Sequence, residues 1–250
     1  MKAARHVFAA PDGQELAWWE LGEGRPVVLL HGLFSDANTN WIRYGHAEAI
    51  AAVGRRVVMP DLRAHGTSAR PHDPAAYPPD ILASDGLALI ARLGLADYDL
   101  GGYSLGARTA VRMAIDGARP RRLIVGGMGL QGLLATGPRA AVFKRILTGL
   151  GTHPRGSEEW RAEAFLKTTG GDPEALLPLL DSFVDSTKAE LAALAMPTLV
   201  VAGAEDDDNG SAAALADLLP HGRHVAVPGN HMSAVVKPEL GRAIAAFLAS

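Results

Sequence analysis

The pentapeptide Gly102-Tyr103-Ser104-Leu105-Gly106 has the form G-x-S-x-G. A serine hydroxyl is a poor nucleophile unless a base takes its proton and little steric cover surrounds it. A sharp turn from strand to helix presents it in that way, and glycines two positions before and after remove side chains that would collide. The pattern alone is common; its setting carries the weight. A weakly strand-like run, Tyr98-Asp99-Leu100-Gly101-Gly102-Tyr103, precedes it, and a strongly helical stretch over 105–118 follows. An acid and then a histidine should come later in the chain. Asp206 stands just past the apolar run Leu199-Val200-Val201, and His231 just past Val225-Ala226-Val227. Glu205, Asp206, Asp207 and Asp208 are consecutive, so only one can face His231. Asp206 is the first choice and Asp208 the second; the others are expected to be solvated or to cap the helix that begins near Ser211.

These residues need a frame that brings them together. Val27-Val28-Leu29-Leu30, Val57-Val58-Met59, Leu123-Ile124-Val125 and the two runs before Asp206 and His231 are continuous, not alternating. Continuous apolar runs suit strands covered on both faces, as in a parallel sheet. Stretches 46–53, 80–94, 105–118, 211–219 and 238–248 repeat apolar residues at helical spacing between them. Alternation of this kind predicts right-handed βαβ crossovers. Parallel strands deliver their C-terminal ends to one edge of the sheet, so the loops holding Ser104, Asp206 and His231 share a rim. Ahead of the alternation, His6-Val7-Phe8-Ala9 and Glu15-Leu16-Ala17-Trp18-Trp19 flank Pro11-Asp12-Gly13, which reads as a hairpin. Residues 130–190 break the pattern with three short helices, expected near 139–149, 157–168 and 173–186, and are read as an insertion within one domain spanning 1–250.

Composition narrows the functional classes. The chain has 250 residues, 48% of them apolar and 20% charged, enough to bury a sizeable core. Its net charge is −3, which offers no electrostatic grip on nucleic acid or anionic lipid. With no cysteine, a thiolate nucleophile and cysteine-ligated metals are excluded. No histidine pair has ligand spacing, so no metal is expected; an activated serine needs no cofactor, and none is expected. The N-terminal residues lack the apolar core of a signal peptide and no run is long enough to span a membrane, so a cytoplasmic location is expected. The expected partner is a small-molecule substrate; oligomeric state is left open.

At this point the chain resembles the α/β-hydrolase family, the small bacterial serine hydrolases with a short helical cap. His31-Gly32-Leu33-Phe34 is similar to the family's oxyanion-loop motif, Asp61-Leu62-Arg63-Ala64-His65-Gly66-Thr67-Ser68 to its D-x-R-G-x-G-x-S loop, and Gly203-Ala204-Glu205-Asp206 to its G-x-x-D acid loop. Ala64 departs from the usual glycine. The resemblance implies a mostly parallel eight-stranded sheet with helices on both faces and the helical insertion as cap. It implies an oxyanion hole from the backbone N–H groups of Leu33 and Leu105, with Phe34 the alternative to Leu33. His31, Asp61, Arg63 and Ser68 would shape loops. A serine at the elbow argues against the family's dehalogenases and epoxide hydrolases, which use aspartate there. The favoured reaction is hydrolysis of a carboxylic ester with a small to medium, largely apolar acyl group. Phe34, Trp160 and Phe143 are the expected substrate contacts, with Phe165, Leu147 and Leu150 as further candidates. A carbon–carbon bond hydrolase or lactonase is the main rival. It would need a cationic pair for a substrate carboxylate; Arg108 and Arg112 could supply it, although an exposed helix face is the favoured reading for both. A binding protein with little turnover is the rival of a different class.

Overall fold

The structure is a computed structural model, and it describes residues 2–249. Eight strands form one sheet: β1 (Ala4–Ala9), β2 (Glu15–Leu21), β3 (Arg25–Leu30), β4 (Arg55–Pro60), β5 (Asp99–Tyr103), β6 (Leu123–Gly126), β7 (Thr198–Gly203) and β8 (Gly222–Val227). Their spatial order is β1-β2-β4-β3-β5-β6-β7-β8, antiparallel at β1–β2 and β2–β4 and parallel from β4 to β8. The helices are α1 (His46–Ala51), α2 (Ile81–Arg92), α3 (Leu105–Ile115), α4 (Leu130–Leu134), α5 (Gly137–Thr148), α6 (Glu158–Thr168), α7 (Pro173–Asp181), α8 (Lys188–Ala192), α9 (Ala212–Leu218), α10 (His231–Ala234) and α11 (Pro238–Ala249). This is the α/β-hydrolase arrangement expected from the motifs. No helix among the described residues is long and apolar enough to cross a membrane.

Two-residue periodicity divides each strand between two cores. Val27, Leu29, Val57 and Met59 point to one face, where Ile50 of α1 and Leu240, Ile244 and Leu248 of α11 meet them. Val28, Leu30, Val58 and Leu100 point to the other, under α2, α3 and α9. That second core continues into α5, α6 and α7 through Ile146, Leu147, Leu166 and Leu176. Residues 130–190 therefore share the apolar interior of the sheet layer beneath them.

Three of the insertion's helices stand near the expected positions, but α4 was not foreseen and α7 ends at Asp181, short of residue 186. Tertiary partners claim the carbonyls that would continue α7. Ser182 O accepts from Asp80 N at 2.8 Å and Val184 O from Arg108 Nη2 at 2.8 Å. Residues 182–186 thus lie across α3 as irregular backbone.

The loop after β4 is tied as its motif implied. Asp61 accepts from Ala37 N and Thr67 N, each at 2.9 Å, and Ser68 Oγ donates to Asp61 O at 2.5 Å. Ala64 takes φ 69°, the left-handed conformation that favours the glycine usual in the motif. Fully buried Arg63 makes a two-pronged pair with Asp85 at 2.8 and 2.9 Å and a further contact with Asp12 at 2.5 Å. Asp85→Asn should cost about 3 kcal/mol of stability, because it strands part of a buried guanidinium charge; urea unfolding measures it.

Polar ties also join the insertion to the body. Thr169 Oγ1 donates to Phe34 O at 2.7 Å, and Arg70 Nη1 to Gly170 O at 2.7 Å. Exposed His72 lies 2.8 Å from Asp172, the residue that caps α7, and 3.0 Å from Glu174. The hydrogen bond to Asp172 holds the His72 imidazole above its usual pKa. The ion pair is therefore complete at mildly acid pH, where the carboxylate is still ionised, and is lost as pH rises through the raised value. In an NMR titration the His72 midpoint should lie above about 6.5, and Asp172→Asn should bring it down.

Candidate active site

Ser104 sits between β5 and α3 with φ 54° and ψ −117°, a backbone conformation that L-residues rarely adopt. Close approach of two backbones imposes it. A Cβ on Gly106 would lie 2.1 Å from Leu30 O, and one on Gly102 would lie 2.3 Å from the carbonyl carbon of Gly106. Only glycines let the turn settle against the end of β3. Ser104 N donates to Gly126 O at 2.8 Å, which anchors the turn to β6 as well.

The acid and histidine loops are drawn together by their backbones. Ala204 N donates to Val227 O at 2.7 Å and Glu205 N to Gly229 O at 3.0 Å. A Cβ on Gly203 would meet Gly229 O at 2.2 Å, so this approach too requires glycine. His231 opens the short helix α10 behind the capping pair Asn230 and Ser233. Its Nδ1 is 2.9 Å from Asp206 Oδ2 and its Nε2 is 3.0 Å from Ser104 Oγ. Ionised Asp206 can only accept, so Nδ1 carries the proton and Nε2 is left to accept from the serine hydroxyl. Asp208 N donates to Asp206 Oδ1 at 3.3 Å, and the Asp206 side chain is only 3% exposed. Tyr103 OH donates to His231 O at 2.6 Å and seats the histidine from below. Asp208 itself turns outward to Arg139 at 2.7 Å and is not beside His231.

Leu33 and Leu105 both flank Ser104. Leu105 is the first residue of α3, so its N–H has no acceptor within the helix. Around Leu33 the loop is held by two side chains. His31 Nε2 accepts from Leu62 N at 2.9 Å, which leaves Nδ1 to donate to Gly32 O at 2.8 Å. Burial lowers the pKa of this ring, as suits a neutral structural histidine. Asn40, absent from the sequence reading, accepts from Gly32 N at 3.0 Å. No motif marks it.

Two cavities meet at Ser104. The wider, about 180 Å³, is bounded by Leu33, Asn40, Tyr44, Phe165, His231, Met232, Val235 and Val236 among others and is mostly apolar. The narrower, about 40 Å³, lies between Leu33, Leu105, Met128, Phe143, Phe183, Asn209 and two arginines, Arg108 and Arg139. Phe143 therefore reaches the site, and so does Phe165.

Other expected contacts do not. Trp160 is 38% exposed on α6 and bounds neither cavity, because helical spacing turns it away from the body. Phe34 is buried edge-on against Phe143 at 5.4 Å, behind the cavity wall. Leu147 is buried in the core beneath the insertion, and Leu150 packs against that core. Arg108 and Arg112 are likewise not on an exposed face; both are buried. Among the described residues no group of three or more His, Asp or Glu could hold a metal.

Known proteins agree with this architecture. The family model described as "Alpha/beta hydrolase family" matches residues 27–240. An epoxide hydrolase of Caballeronia sordidicola is 33% identical over 137 residues, which is 55% of this chain and 40% of that protein, so the chain spans less than half of that relative's length. A hydrolase of Pseudomonas aeruginosa PA01 superposes with a TM-score of 0.80 at 24% identity, covering 98% of each chain. An esterase of Exiguobacterium antarcticum superposes at 0.79 with 20% identity, covering 98% of this chain and 99% of its own. At such identities the two superpositions speak for the fold alone. With sheet order, elbow and family match in accord, the chain belongs to the α/β-hydrolase family.

Proposed function

We propose that the protein is a serine hydrolase that cleaves small to medium, largely apolar carboxylic esters through an acyl-enzyme. The observation that carries the reading is His231, which lies at 3.0 Å from Ser104 Oγ and 2.9 Å from Asp206 Oδ2. Ser104 Oγ attacks the ester carbonyl carbon as His231 Nε2 takes its proton. Asp206 holds the imidazole tautomer and stabilises the imidazolium. The N–H groups of Leu33 and Leu105 bind the oxyanion, each donor contributing about 3 kcal/mol to the transition state. His231 then gives its proton to the departing alkoxide oxygen. Water, deprotonated by the same imidazole, attacks the acyl carbon and releases the acid and free Ser104.

The apolar wall of the wider cavity supports an apolar substrate portion beside His231. Serine at the elbow supports attack by a hydroxyl and an acyl-enzyme over chemistry that needs a carboxylate nucleophile. The buried arginine beside Ser104 favours, as a second reading, hydrolysis of a carboxylate-bearing lactone or carbon–carbon bond on the same three residues.

A serine-reactive phosphonate should add to Ser104 alone, as read by peptide mass, and p-nitrophenyl acetate or butyrate should be turned over. Ser104→Ala should abolish that turnover. A folded protein that cleaves no ester of any length and takes no phosphonate would speak for a binding protein instead. Asp206→Asn should lower kcat by about 10⁴ through loss of the productive tautomer. Asp208→Asn should leave kcat within about threefold, since its partner is the surface guanidinium of Arg139; the reverse ranking would assign the acid to Asp208.

A further inference from the structure

Three arginines are buried among the described residues: Arg63, Arg108 and Arg112. Two are neutralised. Arg63 is paired with Asp85 and Asp12, and Arg112 with Asp80 at 2.7 Å, Asp116 at 3.4 Å and Glu190 at 3.8 Å. Arg108 is 6% exposed and has no carboxylate within ion-pairing distance among the described residues. One Nη2 hydrogen bond reaches Val184 O at 2.8 Å, and the guanidinium lies 4.3 Å from the centre of the Phe183 ring. Its Nε is buried without a partner. The acids that face it, Asp80 and Asp185, are engaged elsewhere, with Arg112 and Thr136 respectively. Burial accordingly pushes the Arg108 pKa down to about 10. A buried cation with unmet donors is unfavourable unless an anion joins it.

Arg108 bounds two small spaces: one of about 10 Å³ with Asp80 and Arg112 in its wall, whose acid disfavours an anion, and the narrower cavity, which has none and reaches Ser104. Arg108 stands four residues after Ser104, and its N–H donates to Ser104 O at 3.0 Å, so the two share one face of α3. Side chains on a helix lean toward its N-terminus, which directs Arg108 toward the serine. The cavity has no acidic residue in its wall; its second guanidinium, Arg139, is already paired with Asp208 at 2.7 Å, which leaves Arg108 as the unpaired cation there. Its volume of about 40 Å³ is a few times the roughly 10–15 Å³ one water needs, which is space for only a few heavy atoms and so favours a short acyl chain. The leaving alcohol must lie beside His231, which bounds the wider cavity and not the narrower one. The acyl chain is therefore left to run past Leu33 and Phe143 toward Arg108.

We propose that the acyl group of the substrate ends in a carboxylate held by Arg108, so that the protein hydrolyses half-esters of short dicarboxylic acids. The inference rests on the ester-hydrolase reading and adds an anionic end to an otherwise apolar acyl chain. The acyl C–O bond breaks, water supplies OH to the acyl carbon and H to the alcohol, and a dicarboxylate leaves.

The test compares kcat/KM for the monoethyl esters of succinate, glutarate and adipate with that for the neutral ω-amide of each, followed by proton release in a pH-stat. At one chain length or more the acid should be cleaved roughly tenfold to a hundredfold faster than its amide. Arg108→Gln should bring that ratio to one or below, and Arg108→Lys should restore part of it. Amides cleaved as fast as acids at every length by the unaltered protein would overturn the inference while leaving the ester reading intact. Thermal denaturation with glutarate or with neutral glutaramide is read separately from turnover. If no ester is cleaved and no phosphonate adds, the ester reading fails. The anion site then stands only if glutarate raises the melting temperature of the unaltered protein above what glutaramide and equal ionic strength give. Without such a rise in that case it is rejected, whether or not the Arg108 variants fold.

Discussion

The tight passage of α3 beneath the end of β3 is the constraint on which the site depends. With Gly106 against Leu30 O and Gly102 against Gly106, the chain has no freedom to relax at Ser104. The serine is held at φ 54°, in a region that costs roughly 1–3 kcal/mol for a residue with a side chain. That cost is borne by the buried strands on either side, which are among the most completely covered parts of the molecule. In return the hydroxyl stands clear at the sheet edge, and the N–H of Leu105 is left unclaimed at the start of a helix.

Everything else at the rim is arranged around that fixed point by short polar links. The acid and histidine loops approach each other through two backbone hydrogen bonds and a glycine contact, and Tyr103 ties the histidine back to β5. His31 and Asn40 shape the loop across from them, while Asp61 and Ser68 lock the loop below. Each link orders backbone that would otherwise be mobile, so the hydrogen bonds at His231 can form without further reorganisation.

Electrostatics give the two sides of the site different characters. The side bounded by His231 is apolar and wide; the side bounded by Arg108 is narrow and has one unpaired buried guanidinium in its wall. Arg112 lies one helical turn further along α3 and is just as buried, yet it is surrounded by acids. Neighbours on one helix thus differ: Arg112 is neutralised by acids, whereas Arg108 has no carboxylate within ion-pairing distance among the described residues.

Much of this was legible in the residues themselves. Continuous apolar runs marked the strands covered on both faces, except Val225-Ala226-Val227, whose strand β8 is a half-exposed sheet edge; helical spacing marked the crossovers, and the chain order of serine, acid and histidine pointed to Ser104, Asp206 and His231, because local periodicity and turn chemistry depend on near neighbours in the chain. The contacts of Trp160, Phe34 and Arg108 were not legible, nor was the early end of α7. Whether an aromatic ring on a helix faces a cavity or solvent depends on how that helix is rotated against the body, and whether an arginine finds a counter-ion depends on residues tens of positions away. Sequence put Asp206 ahead of Asp208 without a geometric reason; the reason is the set of backbone contacts that bind the β7 loop to the β8 loop. Sequence alone determined the order of the elements and the chemical types at their ends; only tertiary structure decided which of those groups meet, because burial and distance are properties of the packed chain.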